Sequence, residues 1–86
     1  GLGIKVSPSP LLNTALIDYI VPSDGTVTIV LYNSQGQELK VLYNAGQVRG
    51  QYQITVTDQF NAISGGLYFF GIRQNGLTNY TRFIKE

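Results

Sequence analysis

Between Thr26 and Tyr32 the chain alternates, with Val27, Ile29 and Leu31 on one face and Thr26, Thr28 and Tyr32 on the other. A side-chain period of two is the mark of a strand with one buried face. The same period recurs at Ile17, Tyr19 and Val21, at Tyr52, Ile54 and Val56, and at Tyr68, Phe70 and Ile72. No stretch repeats at helical spacing over three turns. The pattern predicts strands over residues 4–6, 16–21, 26–32, 38–43, 51–57, 67–73 and 77–84. Seven short strands spaced in this way predict an all-β fold, a two-sheet antiparallel β-sandwich of immunoglobulin-like type.

Turn chemistry separates the runs. Pro22-Ser23-Asp24-Gly25 sets a turn before the third strand, with the Asp24 side chain expected to hold that turn through its own backbone. Asn33-Ser34-Gln35-Gly36 reads as a type I turn whose Gly36 takes positive φ. Asn75-Gly76 fits a type I′ hairpin, because both central residues of that turn need positive φ. The last two strands are therefore expected to pair. Residues 58–66 are the least regular part of the chain and are expected to cross between the sheets. Leu67-Tyr68-Phe69-Phe70-Gly71-Ile72 carries no charge and would aggregate through its edge if exposed, which places it centrally with a neighbour on each side.

Length and charge narrow the function classes. A chain of 86 residues holds one core, since a domain of this size buries only about 60 to 65% of the surface exposed on unfolding. Residues 1–3 read as linker and residues 4–86 as the single domain. Charged residues are 13% of the chain, about half of the usual ~25%. The net charge is +1 and the six basic residues are scattered. That gives no field to collect a nucleic-acid backbone. No apolar run reaches the ~20 residues of a membrane-spanning helix.

Neither histidine nor cysteine occurs. The usual base near neutral pH, the commonest metal ligand and the thiol nucleophile are thus missing. The acids Asp18, Asp24, Glu38, Asp58 and Glu86 do not cluster in any loop, and calcium needs six to eight oxygens. The reading is of a non-enzymatic domain without cofactor or metal. The six tyrosines raise carbohydrate binding. Tyr19, Tyr52 and Tyr68 share faces with Ile and Val and read as core rings. Tyr32, Tyr43 and Tyr80 are candidates for exposure, and a coplanar row of them would make a sugar platform.

One family collects these motifs in order: Ser7-Pro8-Ser9-Pro10, Ile17-x-Tyr19-x-Val21-Pro22, Gly25-x-Val27, Tyr32-Asn33-x-x-Gly36, Gly50-x-Tyr52, Gly66-Leu67-Tyr68 and the basic ending Arg82-Phe83-Ile84-Lys85. From about Ile4 to Glu86 the chain resembles the type A C-terminal sorting domain of the type IX secretion system of Bacteroidetes. Ser9 stands where Asn is commoner in that family. The family-motif and turn positions are Pro8, Pro10, Gly25, Gly36, Gly50, Gly66 and Tyr68.

The resemblance implies a domain that addresses an upstream cargo in the same chain to the outer-membrane translocon. A sortase-like peptidase often removes such domains, leaving the cargo at the surface or in the medium. Localisation would be periplasmic in transit, then outer-membrane surface or extracellular. By analogy, recognition falls on Thr81, Arg82, Phe83, Ile84, Lys85 and Glu86. A receptor could read that tail by strand addition or carboxylate capture. Arg82 and Lys85 could equally be solvated charges that protect an edge. The alternative function is an immunoglobulin-like binding or spacer module for carbohydrate or protein.

Overall fold

A computed structural model of the chain describes residues 1–9 and 13–86. Pro10 lies outside the described residues. Seven strands form two antiparallel sheets: β1 Gly3–Ser9, β2 Thr14–Val21, β3 Gly25–Asn33, β4 Glu38–Gln47, β5 Gly50–Val56, β6 Gly66–Gln74 and β7 Leu77–Lys85. One sheet has the order β1-β2-β5 and the other β4-β3-β6-β7. The all-β sandwich expected from the alternation is the fold.

The inward sets read from the sequence face one another across the sandwich. Ile17, Tyr19 and Val21 of β2 and Val27, Ile29 and Leu31 of β3 are buried, as are Phe70 and Ile72 of β6. Tyr68 is 9% exposed and Phe83 4%. Tyr52 and Ile54 are half-buried and pack against this core. Tyr19 and Tyr52 stack at 5.4 Å between ring centroids. The most apolar strand, β6, lies between β3 and β7, where both of its edges are paired.

The turns follow their residue chemistry. Asn75 and Gly76 have φ of 49° and 78°, the two positive values a type I′ turn requires. Gly36 has φ of 80°, and Asn33 Oδ1 accepts hydrogen bonds from the backbone N–H groups of Gln35 and Gln37, each at 3.0 Å. Gly25, Gly50 and Gly66 open β3, β5 and β6. Pro8 stands within β1 opposite Ala15, not at a turn. It is tolerated there because β1 is an edge strand with one unpaired side.

Four features differ from the sequence expectations. Residues 58–66 do cross between the sheets, but they carry a short helix, α1 Asp58–Ala62, whose Phe60 is buried. Five residues make little more than one turn, too few to print a helical period. Leu2, read with Gly1 and Gly3 as linker, is buried in the core, and Gly3 opens β1. Asp24 does not hold its own turn: its Oδ1 accepts the Arg49 N–H at 2.8 Å, tying the β2–β3 corner to the β4–β5 corner. The β3–β4 register shifts twice, so that Ile29 faces Tyr43 but Val30 faces Val41. Each bulge adds a residue and changes which side chains face inward beyond it.

Phe70 is 1% exposed at the centre of the core, so Phe70→Ala is expected to destabilise the domain by about 3 to 5 kcal/mol. Tyr80 is 56% exposed on the opposite face, and Tyr80→Ala is expected to cost less than about 1 kcal/mol. Urea denaturation of the two variants checks the assignment of faces, and equal losses would contradict it.

Candidate functional site

β7 holds the residues to which the sequence assigns recognition, and its phase is set from inside. Phe83 inserts into an aromatic cluster, 4.5 Å from Phe70, 5.7 Å from Tyr68 and 6.1 Å from Phe60 between ring centroids. With Phe83 inward, Thr81 and Lys85 point the same way, and Arg82 and Ile84 point out. The tail is therefore two-sided. Arg82 is exposed and Ile84 is 65% exposed, whereas Thr81 and Lys85 are half-buried.

Lys85 is not a solvated edge charge. Its Nζ donates to the backbone oxygens of Phe60 at 2.5 Å and Ile63 at 3.1 Å, and lies 4.6 Å from the centre of the Phe60 ring. These carbonyls belong to the end of α1 and the residue after it, where the short helix leaves acceptors without helical partners. The last residue of β7 thereby fastens the crossover that leads into β6. Glu86 follows the strand and is exposed.

The backbone of β7 alternates as its side chains do. The two-residue turn makes Gln74 and Leu77 a hydrogen-bonded pair. The β6–β7 register runs without a shift from there to Gly66 opposite Lys85. Leu77, Asn79, Thr81, Phe83 and Lys85 therefore turn their N–H and C=O groups to β6, and Thr78, Tyr80, Arg82 and Ile84 turn theirs to the open edge. The Tyr80 N–H obeys this parity, since it is bonded at 2.9 Å to the Oδ1 of Asn79 and not to β6. Asn79 Nδ2 in turn donates to Leu2 O at 2.9 Å. The Asn79 amide thus occupies the outward N–H of Tyr80 and ties this part of β7 to Leu2. Arg82 and Ile84 follow it with no backbone partner among the described residues. β1 packs past this edge across the corner of the sandwich and forms no ladder with it.

The other three edges are blunted or shorter. β4 is broken by two register shifts, β1 carries Pro8, and β5 spans seven residues whose outward side chains Gln51, Gln53 and Thr55 are polar. β7 is nine residues long and unbroken, with Leu77, Tyr80 and Ile84 each more than half exposed. Long, regular, partly apolar edges are the ones to which another strand adds.

The outer face of the β4-β3-β6-β7 sheet is the second feature. Tyr32 and Tyr80 lean together over Gly71 at 5.7 Å, with their ring planes 67° apart. A Cβ at position 71 would lie 2.7 Å from the Tyr32 ring and 3.0 Å from that of Tyr80, so only glycine lets the rings meet. Tyr43, expected beside them, faces Ile29 and packs against the core. The coplanar row of Tyr32, Tyr43 and Tyr80 does not form. Burial pushes the Tyr32 phenol above its usual 10.0, aided by Tyr80 and Glu38 and opposed by Arg73. The phenol stays neutral near pH 7.

The acids are dispersed. Asp18 accepts from Gln53 at 2.8 Å, Asp24 accepts from the Arg49 backbone, and Glu38 pairs with Arg73 at 3.5 Å. Among the described residues no three acids gather at a metal-binding distance, and no helix is long and apolar enough to cross a membrane. No family model and no curated protein matches the chain.

Removing the Lys85 ammonium while keeping its stem tests the fastening of β7 to α1. Lys85→Met is expected to destabilise the domain by about 1 to 2 kcal/mol, because two part-buried carbonyls lose a charged donor. Deleting Glu86 is expected to leave the urea midpoint unchanged. A Lys85→Met midpoint equal to that of the parent would contradict the contact.

Proposed function

We propose that this is a non-enzymatic sorting domain that directs an upstream protein in the same chain through the type IX outer-membrane translocon, for surface attachment or release. The address is the second half of β7 and its tail, residues 81–86. Two lines support the reading: the order of motifs that resembles the sorting family, and the open backbone rungs at Arg82 and Ile84. The second carries it. A receptor strand that bonds those N–H and C=O groups, on the side past which β1 packs, leaves the β6 ladder intact, because the intervening residues are already committed to β6.

Recognition then divides by parity. Arg82 and Ile84 supply backbone rungs and outward side chains. Thr81, Phe83 and Lys85 anchor the strand from below and are read only through the geometry they impose. Arg82 gives the edge its one outward cation, next to Phe69 on β6. The edge thereby distinguishes partners by charge as well as by main-chain pairing. The partners are the translocon and its sortase-like peptidase, and the route runs through the periplasm to the cell surface or medium.

A fluorescent reporter carried to the periplasm and fused ahead of the chain, in a Bacteroidetes host with and without a working translocon, tests the proposal. The parent chain is expected to bring the reporter to the surface or medium only when the translocon works. Ile84→Pro removes an outward N–H that β6 does not use and is expected to fold but be retained in the periplasm. Retention of the folded parent fusion in both strains overturns the sorting function. Export of Ile84→Pro at the parent level overturns strand addition.

A further inference from the structure

We infer that the corner formed by Tyr32 and Tyr80 on the outer face is a binding site for a neutral pyranose sugar. The site is independent of the address on β7 and would stand if that reading failed. Its walls are the two tyrosine rings and Phe69, and its far rim is the β3–β4 turn at Ser34, Gln35 and Gly36. The groove is open to solvent and offers about 420 Å³, within the few hundred Å³ typical of small-ligand sites.

Three observations fix the ligand chemistry. First, the rings form a corner. At 67° between planes, one ring can take the C–H face of a six-membered ring while the other closes its edge. The corner exists because Gly71 has no side chain to hold the rings apart. Gly36 at the rim likewise leaves open space where a Cβ would stand.

Second, the polar groups around the corner lack protein partners. The hydroxyls of Tyr19, Tyr52 and Tyr68 are all spent inside the fold, on Gln47 Oε1, Val48 O and Ser64 O respectively. The hydroxyls of Tyr32, Tyr80 and Ser34 and the Gln35 side-chain amide make no hydrogen bond among the described residues, whereas the Gln35 backbone N–H is spent on Asn33. An apolar corner ringed by uncommitted donors and acceptors suits a ligand with apolar faces and many hydroxyls.

Third, the lining carries no charge. Of the charged groups around it, Glu38 and Arg73 are paired with each other at 3.5 Å, and Arg82 stands outside the lining, opposite Phe69 on β7. With no charge in the lining itself, ring faces and hydroxyls carry the recognition, and a neutral sugar meets all of them. The two phenol hydroxyls can donate to sugar oxygens as well as accept from them.

The test is titration of the ¹⁵N-labelled 86-residue chain with methyl β-glucoside, methyl α-mannoside and methyl β-galactoside. Each is taken to about 50 mM, which detects millimolar dissociation constants. At least one glycoside is expected to shift the backbone amides of Ser34, Gln35, Gly36 and Tyr80 in a saturable manner. Tyr80→Ala should weaken that binding at least tenfold with the core resonances unchanged, and Tyr80→Phe should weaken it less. If Tyr80→Ala loses its fold, Gln35→Ala on the exposed turn replaces it and should weaken binding severalfold. Failure of all three glycosides to move these amides overturns the proposal. So does undiminished binding by Tyr80→Ala, or shifts produced by an oligoproline peptide and by none of the sugars.

Discussion

The packing of Phe83 against Phe70, Tyr68 and Phe60 is the contact on which the rest of the molecule turns. It joins β7, β6 and α1, and so ties both sides of the crossover to the last strand. It also fixes the phase of β7. A side-chain period of two means that one inward anchor assigns every other position. With Phe83 buried, Arg82 and Ile84 must face out, and their backbone groups must face away from β6. A slip of one residue would bury Arg82 and expose Phe83, which the core cannot accommodate without leaving a charge unpaired.

The same constraint explains why the outer face is available. β6 turns Phe70 and Ile72 inward, which leaves Phe69, Gly71 and Arg73 outside. Gly71 then sits at the centre of an outer sheet face flanked by Val30 and Tyr80. A larger residue there would prop Tyr32 and Tyr80 apart. One strand thus supplies the floor of the core, the floor of the aromatic corner and the template for β7.

The strands and two turns were legible in the sequence because each rests on local chemistry. Alternation at residues 26–32 and 67–73 gives the inward faces of β3 and β6, and Asn75-Gly76 gives the hairpin that pairs β7 with β6. What escaped reading depends on contacts distant in the chain. Tyr43 turns inward because the bulge between Tyr43 and Val41 inverts the phase of β4, and a bulge leaves no mark in the sequence of a mostly exposed strand. Lys85 looked like a surface charge because its partners, Phe60 O and Ile63 O, lie more than twenty residues away. The helix α1 was invisible for lack of length. In the candidate site, the ending motif marks the tail, but its division into anchoring and open residues depends on the register with β6. The spacing of the tyrosines suggests a flat platform and not a corner, and it carries no sign of the role of Gly71.

Residue-resolved amide hydrogen exchange along β7 tests the open edge most directly. The account requires alternation: slow exchange at Thr81 and Phe83, which bond to β6, and fast exchange at Arg82 and Ile84, which face the open side. Equal protection of all four amides would mean that the edge is already covered and would contradict the account.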